Sequence, residues 1–243
     1  MKKIYIAILL AGLLMAGTAG FSSAMTADEV LDKMDQTMEH SNQVAVLSMT
    51  LTDKKGIVQN REIKMFQKEG GKRLIKFLKP ADVKGTGFLS LPGDEMYIYM
   101  PALGKVRRIA SHVKNQSFMG TDFSYDDMEA KPYSEKYTPK LLKTEANVFV
   151  LELTPKSTSD YSKLIVNINK TNYYPESMEY YDKGNTKIKD AKYTFKKIGN
   201  YWNAQEIEMT DLKKNHKTKM QMSDVKYDQG LTDDDFTVRK LKQ

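Results

Sequence analysis

Residues 43–67, QVAVLSMTLTDKKGIVQNREIKMFQ, read as two strands around a turn. Apolar and polar side chains recur with a period of two on both sides of Lys54-Lys55-Gly56, the pattern of a β-hairpin. The same period continues downstream through KRLIKFLK (72–79), GFLSL (87–91), EMYIYM (95–100) and KVRRIAS (105–111). Pro92-Gly93-Asp94 supplies a turn between GFLSL and EMYIYM. It resumes in ANVFVLELT (146–154), SKLIVNIN (162–169), YPESMEYYD (174–182), KIKDAKYTFKKI (187–198), YWNAQEIEMTDL (201–212) and KTKMQMSDVKY (217–227). In the last of these, Met220 and Met222 share one phase and Val225 and Tyr227 the other, which predicts a bulge near Ser223-Asp224.

About a dozen meandering strands in one chain must curl, because a flat sheet would expose two edges and an apolar face. The expected fold is mainly β with helices: an incomplete, strongly curved antiparallel barrel. A single helix precedes it. Thr26 and Glu29 have capping-box spacing, and Val30, Leu31, Met34 and Met38 form one apolar stripe to about His40. That helix is expected on the concave side. The stretch 112–145 is read as irregular, and FTVRKL, after Asp233-Asp234-Asp235, as a last docking strand. No linker or repeat divides the chain, so residues 25–243 are expected to form one domain with enough length for one sizeable core.

The first 24 residues have the layout of a cleaved export signal. Met1-Lys2-Lys3 is a positive n-region, Ile4 to Met15 an apolar run, and Ser22-x-Ala24 a signal-peptidase pattern. The expected location is periplasmic. The sequence holds no cysteine, so neither an acylated cysteine nor a disulfide is expected. Net charge is +7, falling to +5 without Lys2 and Lys3, and lysines alternate with acids. This excludes a nucleic-acid arm and favours transient contact with anionic membrane surfaces.

Catalytic chemistry has little to stand on. His40, His112 and His216 show no metal-ligand spacing and are read as surface or loop residues. There is no nucleophile elbow, and neither Asp126-Asp127 nor Asp233-Asp234-Asp235 has calcium-loop spacing. No enzyme activity, metal or cofactor is expected. Fifteen methionines, several on or beside strands, suit a surface that fits variable apolar partners, although ordinary core filling explains most of them singly.

Two stretches are more specific: LKPADVKGTGFLSLPGDEMYIYMPALGKVRRI (78–109) and SFMGTDFSYDDM (117–128). Gly85, Gly87, Phe88, Tyr99, Pro101, Arg107, Arg108 and the run Gly120 to Tyr125 resemble the LolA-like family of outer-membrane lipoprotein-sorting proteins, in its branch associated with RND-type exporters. The resemblance implies a LolA/LolB-like half-barrel whose N-terminal helix and lid-like loop region cover an apolar cavity for acyl chains. It also implies an inner-membrane donor transporter and an outer-membrane acceptor. Met96, Tyr97, Tyr99, Arg107, Phe118, Met119, Phe123 and Tyr125 are the candidate cavity or mouth residues, or else simple anchors of a long loop. Adjacent strand residues face opposite sides, so at most one of Arg107 and Arg108 reaches the rim. Asp122 is expected to accept backbone N–H groups in the turn after Gly120. A carrier of lipid or lipoprotein is the leading reading. A lipid- or lipoprotein-sensing accessory module is the second, and a polysaccharide-associated or hydrolytic β-protein the third.

Overall fold

The computed structural model describes residues 24–243. The segment read as an export signal lies outside the described residues. Helix α1 (Ala27–Met38) starts where the spacing placed it: Thr26 N–H donates to Glu29 Oε2 at 2.8 Å, and Glu29 N–H to Thr26 Oγ1 at 3.2 Å. Its Val30, Leu31 and Met34 are buried in the main core.

One antiparallel sheet of thirteen strands follows, in the order β6-β5-β4-β3-β2-β1-β13-β12-β11-β10-β9-β8-β7. The strands are β1 (Asn42–Thr52), β2 (Val58–Lys68), β3 (Lys72–Lys79), β4 (Gly87–Leu91), β5 (Glu95–Met100) and β6 (Lys105–Arg108). The second half holds β7 (Tyr137–Thr144), β8 (Val148–Pro155), β9 (Tyr161–Asn169), β10 (Pro175–Asp182), β11 (Lys187–Ile198), β12 (Tyr201–Asp211) and β13 (His216–Tyr227). Two meanders are joined by the β1–β13 pair, and β6 and β7 remain as edges, so the curved sheet stays open. The first hairpin closes as read: Asp53 Oδ1 accepts the N–H groups of Lys55 and Ile57, both at 2.8 Å. The bulge in β13 is present too, with the register slipping between Val46↔Ser223 and Val44↔Lys226, and Asp224 at φ +48°.

Two expectations are corrected. Residues 112–145 are not irregular throughout, because they contain the short helix α2 (Tyr133–Lys136) and strand β7. Pro139 obscures β7 in the sequence, since it lacks a ladder donor; β7 is an edge strand, where proline is tolerated. The C-terminal FTVRKL is not a strand. It ends in the short helix α3 (Val238–Leu241), whose Thr237 Oγ1 accepts Lys240 N–H at 3.3 Å. This segment lies over β4 and β5, which already have neighbours on both sides, so it docks by its apolar side chains.

Alternation divides the sheet into two faces. Ala45, Leu47, Met49, Ile63, Met65, Ile75, Phe77, Leu164, Met178 and Met209 point to the main core, which α1 shares. On the other face Leu74 and Leu89 pack with Phe236 and Leu241. Gly87 makes that second contact possible: a Cβ there would lie 2.7 Å from Leu241 Cδ1 and 2.8 Å from its carbonyl oxygen.

Candidate functional site

The chain between β6 and β7 must travel from one open edge of the sheet to the other, and it does so across the concave side. Phe118 lies against Phe77 of β3 and Phe88 of β4, with ring centroids 5.9 and 5.2 Å apart, and against Tyr125 at 5.5 Å. Gly120 turns the chain at φ +80°. Asp122 then reaches β13: its carboxylate lies 2.8 Å from His216 Nδ1 and accepts Thr218 Oγ1–H at 2.7 Å. Lys189 of β11 donates to the Asp122 carbonyl at 2.7 Å. Asp122 therefore ties the segment to the sheet instead of shaping the turn, and His216 is a partner of a buried acid, not a loop residue.

The other acids of SFMGTDFSYDDM and its neighbour diverge. Asp127 Oδ2 accepts Ser124 N–H at 2.7 Å, Asp126 pairs with Lys136 at 2.7 Å, and Glu129 lies between Lys136 and Lys114 at 3.6 and 4.0 Å. Burial raises the Glu129 pKa in spite of those lysines.

Beyond Phe123, a pocket of about 680 Å³ opens between the concave face, the end of α1 and the chain from Asp127 to Tyr137. Its apolar lining includes Leu47, Met65, Leu164, Ile207, Met220 and Met222. Asp35 of α1 joins two of its walls, accepting the N–H groups of Tyr133 and Ser134 at 2.9 and 2.8 Å.

One end of the pocket is polar in an ordered way. Arg73, Gln67, Gln43 and Tyr227 are successive cross-strand partners on β3, β2, β1 and β13. Gln43 Nε2 and Tyr227 Oη both donate to Asn203 Oδ1 of β12, at 3.0 and 3.2 Å. His40 stands beside this row, its ring 5.2 Å from that of Tyr227, with Nδ1 3.1 Å from the Met38 carbonyl. Burial brings the His40 pKa down to about 4, and the nearby Arg73 charge acts in the same direction. Burial likewise brings Arg73 to about 10 and pushes Tyr227 up to about 12.

Among the eight candidate residues, Phe123 lines the pocket. Met96 and Phe118 are fully buried in the main core. Met119 and Tyr125 are half-buried against it, and the Met119 carbonyl accepts from Arg61 Nη1. Tyr97 and Tyr99 differ from the expectation: they share a strand phase opposite to Met96 and pack with Leu74, Leu89 and Phe236 on the convex face. Arg107 is exposed on the edge strand opposite Ile98, while Arg108, opposite Tyr97, pairs with Glu95 at 3.7 Å. The row Arg73–Gln67–Gln43–Tyr227–Asn203 was missed. Its sequence signal is a polar residue in an apolar phase: Gln43 keeps step with Ala45 and Leu47, and Arg73 with Ile75 and Phe77.

A thirteen-stranded open sheet curved around a pocket, with a chain segment crossing its hollow, defines a class of binding proteins. A family model described as "Uncharacterized protein" matches residues 69–243. A domain designated an outer-membrane lipoprotein-sorting protein from Vibrio parahaemolyticus superposes with a TM-score of 0.83 at 32% identity, covering 89% of this chain and 98% of that one. A DUF1329-family protein from Desulfovibrio piger gives 0.82 at 27% identity, covering 88% and 97%. A LolA-superfamily protein from Nitrosomonas europaea gives 0.76 at 22% identity, covering 89% and 100%, and shows the shared fold. Among curated proteins none matches. The chain belongs to the LolA-like family of outer-membrane lipoprotein-sorting proteins.

Proposed function

We propose that this protein is a periplasmic carrier that shelters acyl chains of a lipid or lipoprotein in the pocket and passes them toward the outer membrane. The observation that carries this reading is the apolar pocket of about 680 Å³ on the concave side, within the size range of small-molecule sites. Each methylene moved from water into it contributes about 0.8 kcal/mol. Several methionines and tyrosines line it, a soft wall suited to chains of variable length.

Loading requires an opening. Helix α1 is the candidate moving part, because it is held by side-chain packing of Val30, Leu31 and Met34 and by hydrogen bonds of Asp35 and Thr37 rather than by a strand ladder. Transfer between a donor transporter in the inner membrane and an acceptor in the outer one would be driven by the better site. Contact with membrane surfaces is supported by exposed Ile57, Val58 and Leu212 on neighbouring turns, flanked by Lys54, Lys55, Lys213 and Lys214.

Native mass spectrometry of the protein purified gently from the envelope tests this. A stoichiometric lipid or acylated peptide is expected, and its loss in Met222→Trp, which fills the pocket, would tie the adduct to this site. A persistent apo mass, with no uptake of offered phospholipid or lipopeptide, would instead support the sensing-module reading.

A further inference from the structure

The polar end of the pocket bears on what kind of lipid is carried, an inference that rests on the carrier reading. Arg73 donates to Gln67 Oε1 from Nε and Nη2 at 3.0 and 2.7 Å, and to the Met128 carbonyl from Nη1 at 2.9 Å. Both acceptors are neutral. No carboxylate among the described residues lies within ion-pair distance of this guanidinium, although it is set deep in the fold. An arginine has five N–H donors, so two remain for a ligand.

Across the row, Asn203 is 2% exposed, and its Nδ2 has no hydrogen-bond partner. Its Oδ1 is already engaged by Gln43 and Tyr227, which leaves Nδ2 as the unpartnered donor of a residue in the pocket wall. His40 Nε2 is likewise buried without a partner. With Nδ1–H donating to the Met38 carbonyl, neutral His40 presents Nε2 as an acceptor. Unsatisfied buried polar groups are costly, so a donor and an acceptor without partners in the wall of one pocket point to a ligand.

We propose that this end of the pocket is a head-group subsite for an anionic lipid bearing free hydroxyls, of the phosphoglycerol type. Arg73 takes the phosphate oxygens. A hydroxyl donates to His40 Nε2 and another head-group oxygen accepts from Asn203 Nδ2. The row crosses five neighbouring strands at about 4.8 Å per step, room for a head group rather than a single ion. The chains then run down over Leu47, Ile207 and Met220. Glu129 is the one acid lining the same pocket whose charge reaches Arg73, and none of these acids forms an ion pair with it. Asp35 and Asp127 accept backbone N–H groups, Glu129 sits between Lys114 and Lys136, and Glu39, Glu69 and Glu135 are exposed at the rim. The N-terminus of a triacylated lipoprotein carries no anion and would leave Arg73 without a direct ion-pair partner.

Trp202, the sole tryptophan, lines the pocket and provides a fluorescence titration. Dioctanoyl phosphatidylglycerol is expected to bind the purified protein at least about tenfold more tightly than dioctanoyl phosphatidylcholine, the scale of one charge-assisted hydrogen bond. Arg73→Gln should weaken both lipids, which share the phosphate, and shrink the ratio because the choline cation no longer meets a like charge; Arg73→Lys should keep part of the preference. Should Arg73→Gln fail to fold, the ratio in the unaltered protein still decides. Equal binding of the two lipids, or tighter binding of a triacylated lipopeptide, overturns the head-group assignment and leaves the carrier reading standing. Glycerol 3-phosphate binding as tightly as the lipid would mean a soluble ligand and overturns both, as does failure of every lipid and lipopeptide to bind.

Discussion

Asp122 Oδ2 lies 2.8 Å from His216 Nδ1, and the same carboxylate accepts the Thr218 hydroxyl, so a segment that enters from one sheet edge is fastened to the strand at the middle of the sheet. Asp122 is almost fully buried. Its replacement by Ala leaves His216 without its partner and the Thr218 hydroxyl without its acceptor, while the backbone ties of residue 122 to Thr218 Oγ1 and Lys189 remain. The expected loss is about 2–4 kcal/mol of folding free energy, read from urea unfolding. A loss within about 0.5 kcal/mol would show that this fastening is dispensable.

His40 makes acid stability a measurable property of the polar row. Its folded pKa of about 4 lies below the ordinary value of 6.5, so the unfolded chain binds the proton first. Arg73 opposes protonation and Asp228 favours it, with burial outweighing both. The contribution is fully present above about pH 6.5, declines as the pH falls toward 4, and levels off below that. Across this window the native state should lose about 3 kcal/mol relative to His40→Gln, whose stability lacks that slope. Parallel pH profiles for the two proteins would contradict it.

Asp35 controls how firmly α1 rests on the far wall. Asp35→Ala removes both hydrogen bonds to Tyr133 and Ser134, about 1–3 kcal/mol of local stability. Hydrogen exchange at those two amides should accelerate at least about tenfold while β1 and β13 keep their protection. Lipid uptake should quicken in the same variant. Unchanged exchange at Tyr133 and Ser134 would remove α1 as the moving element.

Gly87 of the GTGF stretch has Leu241 where a side chain would stand. Gly87→Ala must push Leu241 outward, and overpacking of this kind costs about 1–3 kcal/mol. Truncation before Val238 in the Gly87→Ala background should add little further loss, since the contact is already broken. Full additivity of the two changes would argue against this coupling.

Much of the molecule was legible along the chain because its elements are local. Alternation through residues 43–67 and 187–198 depends only on which side chains neighbour each other in sequence, and so do the Thr26–Glu29 cap and the phase slip at Ser223-Asp224. Strand β7 escaped because a proline reads as a break unless the strand is known to be an edge, and that depends on sheet order. Tyr97 and Tyr99 share the apolar character of Met96, but their strand phase puts them on the opposite face.

The sequence by itself determined twelve of the thirteen strands, the first helix, the curling of the sheet and the family, all consequences of periodicity, turn chemistry and motif. Only the tertiary structure decided where the GTDFSY segment runs and which polar groups share a pocket. Arg73 and Asn203 are 130 residues apart in sequence and meet the same hollow because β1 pairs with β13, bringing two separate meanders into one curved sheet. That pairing is a long-range contact, and no local pattern in either strand encodes which partner it will find.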